Sequence, residues 1–139
     1  MKLSKSKAFA IQDGKCPESD QTCDFKISTE KINWLHKHGP DDKFYNIQNL
    51  PFAVNHPIAI FKGLKREGHE NSYCYAAIPA RRFINDTESL PVDAGWVFLV
   101  FVSHNLQIFD WRFERLGAGR TLPENHEDRF TNLIWESRH

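Results

Sequence analysis

The chain has 139 residues, 40% hydrophobic and 13% aromatic, with eleven Phe and four Trp, which suits one domain around a packed core. Lys and Arg balance Asp and Glu at 18 each. That excludes a global field drawing in nucleic acid or an anionic membrane, and leaves any such binding to a local patch.

No run of residues reaches the length of a membrane span, so no membrane partner is expected. The stretch MKLSKSKAFAIQDGKC carries lysines without the apolar core of a secretory signal, so a cytoplasmic location is the default expectation. Residues 1–25 are polar and mixed in charge, with Gly14 and Pro17, and read as a flexible N-terminal arm; residues 26–139 read as a single domain. Cys16, Cys23 and Cys74 do not match a zinc spacing, since six residues separate the first two and a second ligand pair is missing. Free thiols are the expected state in a reducing compartment, with a Cys16–Cys23 disulfide as the alternative on oxidation. No metal or cofactor is expected.

A helix is predicted over residues 29–38, with Ser28 as its cap and Ile27 stapled to Ile32. Lys37 and His38 suit its negative end, and Gly39-Pro40 stops it. Residues 40–55 look irregular. A first hairpin is expected from the strands PIAIFKGL (57–64) and YCYAAI (73–78), joined by a polar surface loop. Residues 79–95 hold Pro79, Pro91 and Gly95 and read as a long crossing loop.

The run WVFLVFVSHNLQIFDWRF (96–113) is the clearest signal. Residues 96–102 are continuously apolar, as in a strand covered on both faces. Residues 106–113 alternate. A two-residue turn at His104-Asn105 would set Val100 against Phe109, Phe98 against Trp111 and Trp96 against Phe113 on one face. On the other, Phe101 would meet Ile108, Leu99 would meet Asp110 and Val97 would meet Arg112. Cross-strand aromatic pairs stabilise such a register. Asp110 and Arg112 would form a same-strand pair at the sheet margin. LGAGRTL (116–122) is flexible by composition, and a last helix is predicted over 126–136, with Phe130, Leu133 and Ile134 at helical spacing. The expected fold is therefore α+β, with about four antiparallel strands in two hairpins and a helix at each end.

The chemistry-bearing candidates cluster around the first hairpin loop. From Lys62 to Arg82 there are five Lys and Arg against two Glu, interleaved with Tyr73 and Tyr75. Basic groups among aromatics can hold a phosphate backbone and stack a base. His69, with Glu70, is the candidate for acid–base work. Arg66, Arg81 and Arg112 are candidates for phosphate contact, Tyr73 for stacking, and Asp110 for a polar contact. The plainer reading of the same loop is a solvated hairpin tip that keeps a sheet edge soluble. The zincin, phosphate-loop and nucleophile-elbow motifs do not occur in the sequence.

Two functions from different classes fit. The order of leading helix, two hairpins and closing helix over roughly residues 28–136 resembles the barnase and RelE-like ribonuclease folds, in which an exposed sheet face carries the RNA-cleaving residues. That resemblance implies a small metal-independent ribonuclease with RNA as its partner, and no family motif transfers residue by residue. Balanced charge and aromatics such as Tyr45, Phe52, Trp111 and Trp135 favour instead a non-catalytic interaction module of inhibitor, immunity or adaptor type, with a protein partner.

Overall fold

In a computed structural model, residues 8–39, 41–63, 68, 70–115 and 132–137 are described. The chain opens with a hairpin of β1 (Ala8–Lys15) and β2 (Thr22–Ser28). Much of the predicted arm is thus strand. Polar residues alternate there with Ile11, Phe25 and Ile27, which are buried in the core. Asp13, at φ 62°, bulges β1, a conformation that Asp tolerates.

Helix α1 (Thr29–His38) has the predicted bounds and buries Ile32 and Leu35. Ser28 stands at its N-cap without a side-chain cap bond. The Gly39 N–H closes the helix on the Leu35 carbonyl at 2.9 Å. Residues expected to be irregular form α2 (Asp41–Tyr45), a 3-10 turn (Asn46–Asn49) and α3 (Leu50–Asn55). Pro51 sits in the first turn of α3, where its missing N–H has no intrahelical partner to lose.

Five antiparallel strands make the main sheet: β3 (Ala59–Lys62), β4 (Tyr73–Ala77), β7 (Trp96–Val102), β8 (Ile108–Arg115) and β9 (Asn132–Glu136). Their order is β8-β7-β4-β3-β9. The α+β, antiparallel character matches expectation, while the strand count and the helix positions do not. All helices among the described residues lie between β2 and β3. Asn132–Glu136, expected within a closing helix, is instead an edge strand paired with β3; the rest of that predicted helix and the LGAGRTL segment fall outside the described residues. The expected crossing loop contains a ribbon of β5 (Arg81–Phe83) and β6 (Ser89–Pro91).

One sheet face carries Ile60, Tyr75, Ala77, Phe98, Val100 and Trp111, packed with Phe25, Ile27, Leu35, Leu50 and Val54 of the hairpin and helices. Phe25 meets Tyr75 edge-on at 5.4 Å. The other face carries Ala59, Phe61, Cys74, Ala76, Val97, Leu99 and Phe101, also buried.

The β7–β8 register differs from the predicted one. Leu106 adopts φ 66° and its N–H meets the Ser103 carbonyl at 2.9 Å, so the loop has three residues. A bulge then adds one more between Phe101 and Val102. Val100 pairs with Trp111, Phe98 with Phe113, Phe101 with Asp110 and Leu99 with Arg112. A shift of two keeps the parity of residues 110–113, so their faces are as predicted. Ile108 and Phe109, next to the bulge, exchange faces: Ile108 joins the first cluster and Phe109 packs on the second.

Candidate functional site

The β1–β2 loop folds over one end of the main sheet. Cys16 and Cys23 are joined as a disulfide, with Cα atoms 5.2 Å apart, which corrects the expectation of free thiols for this pair. The cause is pairing that sequence spacing does not reveal: Gly14 sits opposite Cys23 in the hairpin, which brings the two thiols together. Cys74 is buried in the sheet.

The loop places Glu18 between two groups of the sheet. The Tyr73 hydroxyl donates to Glu18 Oε2 at 2.7 Å and Lys62 Nζ donates to Oε1 at 3.0 Å. Lys62 also lies 5.9 Å from the centre of the Tyr73 ring. The hydrogen bonds from Tyr73 and Lys62 hold the Glu18 carboxyl below the usual carboxylate range. Burial, and then the Glu18 contact, push the Tyr73 phenol up to about 12. Burial likewise raises Tyr75, whose hydroxyl donates to the Lys15 carbonyl at 2.5 Å. These shifts run away from neutrality, opposite to what a general acid or base working near pH 7 requires. The cluster is a clamp that ties the loop to β3 and β4.

A surface cleft of about 380 Å³ opens beside it, lined by Lys15, Glu18, Asp20, Ile134 and Trp135 among others. Lys15 Nζ stands 4.9 Å from the Trp135 ring centre and donates to the carbonyls of Cys16 and Ser19. Glu18 and Lys15 carried no sequence signal, because they sit in a stretch read as an arm; the Cys16/Cys23 pair was the only pointer to that loop.

The predicted site residues that the structure describes are spread over the fold. His69 and Arg66 lie outside the described residues. Glu70 is exposed, and the Gly68 N–H points to its Oε1 at 3.4 Å. Tyr73 opens β4 and is drawn into the Glu18 clamp, whereas Arg81 lies beyond the other end of that strand and donates to Ser89 through Nε and Nη2. Asp110 and Arg112 are on β8, two strands from β4, and they do not pair with each other.

Asp110 instead holds Lys43 of α2 at 2.5 Å, and its Oδ1 accepts the Trp111 N–H at 2.9 Å. Lys31 of α1 donates to the Phe109 carbonyl. Both contacts cap the outer edge of β8, a device that blocks pairing with another strand. Burial lowers the Lys31 pKa, opposed by the Asp110 charge. Trp111, fully buried, donates its indole N–H to the Lys43 carbonyl at 2.7 Å. Arg112 lies 5.2 Å from the Phe101 ring centre and 3.1 Å from Glu114. Among the described residues no three metal-ligating side chains come together, and no helix is long and apolar enough to cross a membrane.

A different surface is left open on α1. Trp34 is 58% exposed, the most exposed large apolar side chain among the described residues. It centres a shallow cleft of about 330 Å³ with Glu30, Asn33, Lys37 and His38, one helical stripe opposite the buried Ile32 and Leu35. The His38 ring sits 5.4 Å from that of Trp34. Comparison with protein families, curated proteins and solved structures finds no match to this chain.

Proposed function

We propose that the protein is a non-catalytic interaction module, and that the Trp34 face of α1 receives a partner protein. The observation that carries this reading is the indole itself. A tryptophan standing 58% exposed on a regular helix is stabilised when a partner covers it, by roughly 25 cal/mol per Å² of apolar area buried. Trp is also the residue type most often found at the energetic centre of interfaces. Glu30, Lys37 and His38 around it supply the mixed-charge polar rim that such centres have. The partner is therefore a protein with an apolar pocket bordered by both signs of charge. Asp110, Arg112, Tyr73 and Arg81 support the same reading, since each is engaged in a contact that holds the fold.

The test is binding of an identified partner, reconstituted from purified components in stoichiometric amounts. Trp34→Ala should leave the melting temperature unchanged and weaken that complex at least about tenfold, the effect of an interface hot spot. A complex indifferent to Trp34→Ala would count against this face.

RNA cleavage is the second reading. Its support is the order of helices followed by an antiparallel β3-β4-β7-β8 meander, a fold-level analogy. Incubation with total RNA at low salt, with and without chelator, separates the two. The interaction reading expects intact RNA in every lane; cleavage that disappears in His69→Ala would replace it with the nuclease reading.

A further inference from the structure

The exposed stripe of α1 carries a charge pattern that is its own complement. Along the helix it reads Glu30, Asn33, Trp34, Lys37, His38. Steps of three and four residues keep these side chains on one face. The acid stands at the N-terminal end, the indole near the centre and the basic groups at the C-terminal end. At a rise of about 1.5 Å per residue, Glu30 lies about 6 Å before Trp34, and Lys37 and His38 lie about 4.5 and 6 Å after it.

Glu30, Trp34, Lys37 and His38 are all exposed. Glu30 and Lys37 are roughly 10 Å apart along the axis, too far to pair within the helix. Among the described residues neither makes an ion pair. The cleft around Trp34 has both signs of charge on its border. The face thus has the features required of its own partner.

A two-fold axis through Trp34 sets the helices of two copies antiparallel. Each Glu30 then faces Lys37 and His38 of the other copy, twice over by symmetry, and the two indoles meet at the centre. Aromatic rings in contact add to the area they bury. A parallel arrangement would set Glu30 on Glu30 and Lys37 on Lys37, which repels. The formal net charge of zero leaves no general repulsion between copies.

We propose that the occupant of the Trp34 face is a second copy of this chain, docked antiparallel through α1. This inference rests on the reading of that face as an interaction surface. Its area sets its strength. The helix has 10 residues and spans about 15 Å, which is too short to bury the roughly 1,200 Å² of a stable complex. The dimer is therefore weak and reversible, with a dissociation constant on the order of 0.1 mM.

The experiment is sedimentation equilibrium of the full chain from about 10 μM to 1 mM. A reversible monomer–dimer equilibrium is expected for the parent. Trp34→Ala should weaken it about tenfold or more. Glu30→Lys and Lys37→Glu should each weaken it about fivefold, because each turns two attractions into repulsions. The double variant, Glu30→Lys with Lys37→Glu, reverses the pattern but keeps it self-complementary, so it should recover most of the parent's affinity. Melting temperatures establish that the variants are folded, and if a charge variant is not, Trp34→Ala decides. The inference is overturned if the parent is monomeric up to about 1 mM, if the dimer is indifferent to Trp34→Ala, or if the folded double variant is no tighter than the single ones. A monomeric parent whose complex with a different protein is lost in Trp34→Ala would overturn this inference alone and leave the interaction reading standing.

Discussion

Tyr73 shows how a side chain chosen for one property is used for another. Its ring made it a candidate for stacking a base, yet its hydroxyl does the work, donating to Glu18 across 2.7 Å. The direction of the two shifts sets the pH dependence. Glu18 has a depressed pKa in the folded state, so its contribution is present above the ordinary Glu value of about 4.3 and is lost as pH falls through the lower folded value. Tyr73 has a raised one, at about 12, so its contribution is complete below the ordinary Tyr value of about 10 and is lost as pH rises through about 12. Melting temperatures measured against pH should therefore fall less steeply on both flanks in Tyr73→Phe than in the parent; superimposable profiles would show that the clamp does not contribute. Glu18 is well exposed, so the acid-side difference should be small. Asp110 teaches a related lesson. Its alternation with Trp111 was legible, which placed it on the correct face, but its partner Lys43 comes from 67 residues away, and no local pattern encodes that.

The elements legible in the sequence are those whose letters carry a strong period or a clear stop. Helix α1 has its amphipathic stripe and Gly39-Pro40, and β7 and β8 have their apolar and alternating runs. The elements missed are short, and they are stabilised by what lies beside them. The β5–β6 ribbon has three residues per strand and is pinned by the 3-10 turn. Buried Asn46 accepts the Phe83 N–H and donates to the Phe83 carbonyl, each at 2.9 Å, and so stands in for a neighbouring strand. Asn49 donates to Asn46 Oδ1 and to the Arg81 carbonyl. Asn46→Ala should cost about 2 kcal/mol, because it leaves part-buried backbone groups of Phe83 unsatisfied. Denaturant unfolding measures the loss, and amide exchange at Phe83 should rise with it. The sequence of strand β9 reads as helix because Leu133 and Ile134 extend the spacing from Phe130, and short apolar runs do not distinguish the two periods.

Among the described residues the centre of the molecule is a five-stranded sheet buried on both faces, with the β1–β2 hairpin, α1 and α3 packed on one of them. The Cys16–Cys23 disulfide secures the loop that carries Glu18 to the sheet. It closes a short loop, for which chain entropy alone assigns about 2.5 kcal/mol. A Cys16→Ser, Cys23→Ser double variant should lose that much stability, and a reductant should lower the melting temperature of the parent while leaving the double variant unchanged. Equal responses to reductant would place the effect elsewhere. Composition and periodicity were enough for the α+β class, the antiparallel pairing, helix α1 and the division of residues 110–113 between two faces, because burying apolar side chains constrains each of these locally. The extra residues in the β7–β8 connection, the edge position of β9, the disulfide and the Glu18 clamp depend on chain segments far apart in sequence. Those contacts exist once the sheet has set its strand order, so they follow from packing and have no local pattern to announce them.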